Sequence, residues 1–409
     1  MLVQNKCEAM KRHFYLLITI WLFLSCNSSN QNTNTPKEIG YDTERIQRIA
    51  DVQKEMIDNE LIGSNQVIIY KNGERIYNQV VNSGRVGDGD ITEETLFPLW
   101  SMSKPITTVA VMMLFEEGKF MLDDPIGKYL PELDSLQCLD SSGVSYPCKQ
   151  PVLIRHLLTH KSGWSYYPGM SDGKFYLVTD TAFTDLEDFS MKMAEKPLLF
   201  EPGTKYEYGL NTALLGRLID VVSGQFFYDF LKERIFDPLE MPNTKFGLSE
   251  NERKRLQPLL RLNDSSPGFY SGEFDESSYQ KGLTVKLGGE GLISTATDYS
   301  HFCEMLLNDG IYNGTRLLSP ASIGWMHEPQ TIESGFPGFD SGFTFFHLSN
   351  PIRDGGLSPE GIFGWGGYHS TWFWIDQKND LFGLIMTRKT PFSTSLFKKV
   401  RIAAYQSIY

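Results

Sequence analysis

The chain has 409 residues, of which 41% are hydrophobic and 22% charged, and its formal net charge at pH 7 is −12. These proportions are typical of a globular protein with one large or two ordinary domains. The negative charge and the lack of any Lys/Arg cluster exclude a nucleic-acid-binding function.

The first residues predict an export signal. Residues 10–12 are basic, and residues 14–24 are apolar apart from one threonine. A helix needs about 20 apolar residues to span a bilayer, and this run is shorter, so it suits the core of a signal peptide. Met10 is an alternative start of the protein. Cys26 follows directly and resembles the lipidated cysteine of a bacterial lipoprotein. We therefore expect residues 1–26 to be a lipoprotein-type signal peptide, with a plain secretory signal as the alternative.

A polar segment, residues 27–40, follows the leader and is rich in Ser, Asn, Thr and Gln. Such a composition cannot build a core and predicts a flexible tether. Residues 41–409 are then expected to form one domain. Together these features predict an exported bacterial protein, anchored through lipid at the periplasmic face of a membrane.

The spacing of apolar residues predicts strands at both ends of the domain and helices between them. Strands over 66–70 and 75–81 flank Asn72-Gly73, which is the strongest short hairpin signal. This order predicts an α+β fold in which distant strands join one antiparallel sheet and a helical region is inserted. Helices are predicted over 43–60, 105–114, 152–158, 186–194, 212–222, 228–235, 298–307, 320–326 and 394–407, and further strands over 342–348, 370–376 and 381–387.

Three cysteines lie beyond the leader. Cys138 and Cys148 bracket a turn-rich segment and could form a disulfide in an oxidising compartment. Cys303 lies in a helical pattern and is expected to be a buried core thiol.

The stretch around Ser101 carries the clearest chemical signal. Ser101 and Lys104 are three residues apart, so they would share one face of a first helical turn. Pro105 is tolerated in such a turn, and residues 109–114 are apolar on every face, as in a buried helix. A buried amine can take the proton of a neighbouring hydroxyl, and a helix start offers free N–H groups to an oxyanion.

Residues 97–125, which contain this serine and lysine, resemble the nucleophile region of the class C β-lactamase-related serine hydrolases. That family includes β-lactamases, D-amino-acid peptidases and carboxylesterases. The resemblance implies a β-lactamase/transpeptidase-like fold, with an antiparallel sheet flanked by helices and the site between the sheet and a helical subdomain. Further matches follow in order at residues 154–164, 200–224, 288–302 and 363–376.

The resemblance also implies a catalytic tyrosine. Tyr208 is the candidate because it precedes Gly216 by the spacing of the esterase-like members, and Tyr206 is the alternative. Leu210 stands where many relatives have asparagine, and Asn211 comes one residue later. Asn211 is therefore expected to contact the substrate in place of that asparagine.

A third implied element is a strand motif that is K-T-G in penicillin-recognising enzymes. Trp365, Gly366 and Gly367 occupy it here, and the glycines would let substrate approach the backbone. By the same resemblance, the backbone N–H groups of Ser101 and Tyr368 form the oxyanion hole. The alternative interpretation is a glycine-rich turn that leads into the next strand. The two interpretations are compatible, because the site would lie at the edge of that strand.

Two further patterns have structural explanations. Residues 169–173 match G-x-S-x-G but lack the preceding strand of a nucleophile elbow, so a loop is predicted. His156 and His160 have the i, i+4 spacing of metal ligands but no glutamate beside them. No metal and no cofactor are expected. Six aromatic residues are expected to be partly core, with some lining an apolar substrate pocket: Trp164, Tyr166, Tyr167, Trp365, Tyr368 and Trp372.

These residues predict a serine hydrolase that acts through an acyl-enzyme on Ser101, with a small-molecule ester or amide as substrate. Trp365 and Leu210 remove a charge and an amide from the expected site, which favours neutral carboxylic esters. Arg388 could restore a positive charge near the strand end. The alternatives are a β-lactamase or D-amino-acid peptidase, and a non-catalytic binder of cell-wall peptide on the same fold.

Overall fold

The computed structural model describes residues 35–166, 183–262, 268–270, 285–332 and 335–409. The chain divides into two units, residues 1–41 and 42–409. In the first unit, Thr35 caps a short helix, α1 (Pro36–Ile39), while the expected signal peptide and Cys26 lie outside the described residues. In the described ranges, every helix is too short or too polar to cross a membrane.

The second unit contains eleven of the described helices. The helix predicted over 43–60 begins with a 3-10 turn, Arg45–Gln47, and continues as an α-helix from Arg48. A five-residue π-helix, Lys232–Phe236, ends the one predicted over 228–235. The helices are α2 (Arg48–Asp58), α3 (Ser103–Glu116), α4 (Ile154–Leu158), α5 (Leu186–Ala194), α6 (Asn211–Ser223), α7 (Phe227–Leu231), α8 (Glu250–Arg253), α9 (Ala296–Leu307), α10 (Pro320–His327), α11 (Pro351–Asp354) and α12 (Ser395–Tyr405).

The described strands form one large sheet and four small ones. The large sheet has seven strands, and each neighbouring pair is antiparallel. The strands are β1 (Asn65–Lys71), β2 (Glu74–Val81), β3 (Phe97–Pro98), β4 (Gln137–Leu139), β5 (Ser145–Pro147), β6 (Leu259–Arg261), β7 (Gly268–Tyr270), β8 (Ile293–Ser294), β9 (Ile311–Tyr312), β10 (Thr315–Arg316), β11 (Phe339–Ser341), β12 (Phe346–Leu348), β13 (Phe363–Gly366), β14 (Trp372–Asp376), β15 (Leu381–Met386) and β16 (Lys389–Thr390). The order of strands in the large sheet is β11-β12-β13-β14-β15-β1-β2.

The large sheet joins the two ends of the domain. β1 pairs with β15, so that Ile68 lies opposite Leu384, and β2 forms the sheet edge. The β1–β2 hairpin turns at Asn72 and Gly73, whose φ angles of 48° and 81° suit the tight turn that this dipeptide predicts. The predicted α+β fold, with one antiparallel sheet and inserted helices, is confirmed.

Helices cover both faces of the sheet. Side chains alternate between faces along β14. Trp372 stacks on Phe397 of α12 at a ring distance of 4.4 Å. On the other face, Phe373 meets Tyr299 of α9 at 5.4 Å. The Tyr299 hydroxyl donates to the Met102 carbonyl at 3.0 Å, which places the Ser101 region on the α9 side of the sheet.

The prediction of a strand over 342–348 is correct only for residues 346–348, which form β12. Residues 342–345 form a turn between β11 and β12, in which the Gly342 N–H donates to the Phe345 carbonyl at 2.7 Å. Thr344 has a φ of 53°, a left-handed conformation that interrupts an extended strand. Apolar alternation alone cannot distinguish such a tight turn from a strand.

The cysteine predictions agree with the structure. β4 and β5 form a short hairpin, and Cys138 is bonded to Cys148 with a Cα–Cα distance of 5.0 Å. Cys303 is a buried free thiol on α9, and burial raises its pKa well above the usual value.

Candidate active site

Ser101 lies in a single 3-10 turn, Trp100–Met102, immediately before α3. It therefore precedes the helix, rather than standing in its first α-helical turn as the spacing predicted. Trp100 has a φ of 50°, which is unusual for a bulky residue and costs conformational energy. The Trp100 indole N–H donates to Nδ1 of His369 at 2.8 Å, and this bond ties the nucleophile turn to the chain after β13.

Lys104 is fully buried in the first turn of α3. Its Nζ is 3.3 Å from Ser101 Oγ and 2.6 Å from the Gly289 carbonyl oxygen, and it donates to both. Two further oxygens lie close to Nζ: the Tyr166 hydroxyl at 2.9 Å and Oε2 of Glu290 at 3.4 Å. Four oxygen atoms thus surround an ammonium that has three N–H donors.

Tyr208 lies in the loop that leads into α6, and its hydroxyl is 2.7 Å from Ser101 Oγ. Lys104 Nζ lies 5.1 Å from the centre of the Tyr208 ring, close enough for a cation–π contact. The structure thus brings together Ser101, Lys104 and Tyr208, as the resemblance implied. The alternative, Tyr206, lies against His160 at a ring distance of 6.1 Å, and burial raises its pKa.

β13 forms a second wall of the site. Trp365, near its end, is only 6% exposed, stacks on Phe346 at 5.0 Å and approaches the Tyr208 ring at 6.0 Å. Gly367 follows, and a Cβ on it would collide with the Leu99 carbonyl oxygen and the Thr371 hydroxyl. Only glycine therefore lets the chain pass so close to the nucleophile turn.

Tyr368 lies next to that turn, with its ring 5.4 Å from the Trp100 ring. The chain segments that carry the backbone N–H groups of Ser101 and Tyr368 are therefore neighbours. This placement is what an oxyanion hole requires, and the pairing of these two N–H groups stays a prediction. The Tyr368 side chain is exposed and borders the site.

The structure does not support the substrate-binding role expected for Asn211. Asn211 is fully buried at the start of α6, and its Oδ1 accepts a hydrogen bond from the Ser162 hydroxyl. Its amide nitrogen is 3.0 Å from Nδ1 of His160 and 3.3 Å from the Trp164 carbonyl oxygen. With these buried partners, Asn211 fixes the loop that carries Tyr208 and presents no amide to substrate.

The two histidines with ligand-like spacing have structural contacts. His156 Nδ1 accepts the Leu153 N–H at 3.2 Å. His160 is fully buried, and burial, with Lys104 nearby, holds its pKa well below the usual value, so the ring is neutral. The G-x-S-x-G segment, residues 169–173, lies outside the described residues.

Sequence reasoning missed two residues of the site. Tyr166 was expected only as an aromatic of the core or pocket, but its hydroxyl bridges Lys104 and Glu290. No role was predicted for Glu290, although a charged residue between glycines in an otherwise apolar segment was a usable signal. Arg388, expected as a substitute charge, is buried and donates to the Gln257 carbonyl at 2.6 Å.

Comparison with known proteins agrees with this geometry. The sequence model of the family described as Beta-lactamase matches residues 50–406. Protein Rv1367c of Mycobacterium tuberculosis is 30% identical over 319 residues, covering 73% of this chain and 78% of the relative. The lovastatin esterase of Penicillium rubens is 29% identical over 351 residues, covering 76% and 85%.

Solved structures share the fold. The structure described as EstCE1, a hydrolase with promiscuous acyltransferase activity, superposes with a TM-score of 0.77. It is 24% identical, and the match covers 89% of this chain and 99% of that one. With the family match over most of the domain and the Ser101, Lys104 and Tyr208 cluster in place, this chain belongs to the Beta-lactamase family and is a serine hydrolase.

Proposed function

We propose that this hydrolase cleaves small carboxylic esters whose acyl group carries no charge. The observation that carries the proposal is the environment of Trp365, which fills the place where penicillin-recognising relatives have a lysine. Trp365 is an apolar wall between Phe346 and Tyr208, with one N–H and no charge. Arg388, the other candidate cation, is buried and bound to Gln257. The esterase names of the relatives support the same substrate class.

The chemistry follows from the geometry. Ser101 Oγ attacks the ester carbonyl carbon, and its proton passes to the Tyr208 oxygen 2.7 Å away, which acts as the base in its phenolate form. The Lys104 ammonium, 3.3 Å from Ser101 Oγ, stabilises the negative charge on these oxygens. The oxyanion rests on the backbone N–H groups of Ser101 and Tyr368. The same proton then goes to the leaving alkoxide, which departs as the alcohol. Water repeats the sequence on the acyl-enzyme, which releases the acid and restores Ser101.

Steady-state kinetics on p-nitrophenyl butyrate and nitrocefin test the substrate class. A lost hydrogen bond to a charged group is worth about 1.5–3 kcal/mol, so discrimination against the anionic β-lactam should be about ten- to a hundredfold. We expect a clearly higher kcat/KM on the ester. A kcat/KM on nitrocefin equal to or above that on the ester would overturn the proposal and favour the β-lactamase alternative.

We also propose that the mature protein is a lipoprotein whose lipidated residue is Cys26. The support is the order of a basic segment, a short apolar run, the cysteine and a polar tether. We expect the wild-type protein to fractionate with membranes, and Cys26→Ser to release it or block its processing. Mass spectrometry that finds an unmodified N-terminus beyond residue 26 in the wild type would refute the anchor.

A further inference from the structure

We propose that Glu290 is a specificity-determining residue, because it cancels the charge of the catalytic lysine and so makes the site select uncharged acyl groups. This inference rests on the ester hydrolysis through Ser101 proposed above. Glu290 lies between two glycines in the loop before β8 and is 1% exposed. Burial of a carboxylate is costly unless a positive partner compensates for it, and the partner here is Lys104.

The contact between the two charges is both direct and bridged. Oε2 of Glu290 lies 3.4 Å from Lys104 Nζ. The Tyr166 hydroxyl lies 2.9 Å from the same Nζ and donates to Oε2 at 3.1 Å. The three groups form a closed triangle of polar contacts, which holds the ammonium beside the carboxylate.

This pairing sets the charge that a substrate meets. Lys104 Nζ is 3.3 Å from Ser101 Oγ, so an acyl group bound for attack lies within a few ångströms of the ammonium. Without a counter-charge, a buried ammonium would attract an acyl chain that ends in a carboxylate, and low dielectric would strengthen the attraction. A carboxylate 3.4 Å from the ammonium leaves a compact dipole, whose field falls off much faster with distance than that of a single charge.

The experiment compares two esters with the same leaving group. One is p-nitrophenyl butyrate, and the other is mono-p-nitrophenyl succinate, whose acyl chain carries a carboxylate. The ratio of their kcat/KM values removes any loss of activity that is common to both substrates. In Glu290→Gln, which keeps the shape and removes the charge, we expect this ratio to move toward the anionic ester by about tenfold.

Two further variants serve as controls. Tyr166→Phe removes the bridging hydroxyl and keeps both charges, so it should lower kcat/KM on both esters and leave their ratio unchanged. Glu304 accepts from the Tyr70 hydroxyl at 3.4 Å, a similar Tyr–Glu contact that does not involve Lys104. Glu304→Gln should therefore leave both the activity and the ratio unchanged.

The outcomes separate this inference from the function on which it rests. If the wild type hydrolyses neither ester, the proposed function fails. If it is an active esterase and Glu290→Gln leaves the ratio within twofold, the inference about Glu290 is overturned. If Glu290→Gln does not fold, the wild-type enzyme can be measured on the succinate ester at increasing salt concentration instead. A kcat/KM that falls as the salt concentration rises would show that the substrate meets an uncancelled positive charge, and this result would refute the inference.

Discussion

At the scale of single residues, two side chains compete for the Ser101 hydroxyl. Tyr208 approaches Oγ at 2.7 Å and Lys104 at 3.3 Å, and Lys104 also contacts the Gly289 carbonyl and Glu290. Tyr208 is therefore the nearer partner for the serine proton. Lys104 is placed to stabilise negative charge on both oxygens.

The assignment of the nucleophile can be tested by one substitution. Ser101→Ala should lower kcat by at least about 10³-fold, because covalent catalysis is lost. A fluorophosphonate probe should label the wild type and fail to label this variant, which also distinguishes the enzyme from a non-catalytic peptide binder.

The matched control is Ser171→Ala, at the serine of the G-x-S-x-G segment. It should keep its turnover and its labelling. If Ser171→Ala were inactive and Ser101→Ala active, the whole assignment of the site would be wrong.

At the scale of elements, the site depends on how one turn is held against one strand end. The 3-10 turn of Ser101 contains Trp100 in a left-handed conformation, and the bond from its indole to His369 lies next to Tyr368. His369 is buried, and its pKa lies well below the usual value because of burial and the nearby Arg388 and Arg261. Its ring is thus neutral and keeps Nδ1 free to accept.

We therefore expect Trp100→Phe to damage both stability and catalysis. The variant keeps an aromatic ring but leaves the buried Nδ1 of His369 without its donor, which costs about 1–3 kcal/mol of unfolding free energy. The two segments that this bond connects carry the proposed oxyanion donors, so we expect kcat to fall by a larger factor than KM changes. Chemical denaturation and steady-state kinetics measure the two effects, and an unchanged kcat would show that the bond does not organise the site.

Local sequence patterns predicted the elements better than the contacts between them. The helix over Leu186–Ala194 has the predicted bounds, and the hairpin turns at Asn72 as expected. The contact between Ser101 and Lys104 could be predicted from their spacing, because they are three residues apart. The contact between Glu290 and Lys104 could not be predicted in this way, because the two residues are 186 positions apart and only tertiary packing makes them neighbours.

The error at Asn211 has a similar cause. An asparagine next to a catalytic tyrosine looks like a substrate ligand, but its role depends on which way the loop turns. Here the loop directs it to His160 and Ser162 in the interior. Sequence motifs identify the residue types of a site, whereas the buried hydrogen bonds that orient them come from segments far apart in the chain.

At the scale of the whole molecule, buried histidines make the fold sensitive to acid. Burial lowers the pKa of His156 and of His327 to about 4. A group whose pKa is lower in the folded protein takes up its proton first in the unfolded chain, so stability falls as pH drops from about 6.5 toward 4. The same direction of shift holds for five described histidines: His156, His160, His327, His347 and His369.

We expect the melting temperature to fall when the pH is lowered from 7 to 5. Each such histidine contributes up to about 1.4 kcal/mol per pH unit. Asp220 acts in the opposite direction, because burial raises its pKa to about 6 and its protonation stabilises the fold. Thermal unfolding of His156→Gln should show a smaller pH dependence than the wild type; an equal dependence would mean that this histidine is not responsible.

The pairing of β1 with β15 also determines when the enzyme can first act. A ribosome makes Ser101 and Lys104 early, but Trp365, Gly367 and the last sheet strands come hundreds of residues later. Contacts between such distant segments form slowly, after a long loop has closed. A nascent chain therefore carries its nucleophile without the strand that completes the site, and it cannot cleave esters until synthesis has passed β15. The same order means that a chain truncated before residue 386 should be inert as well as unstable, so activity itself reports that synthesis has passed β15.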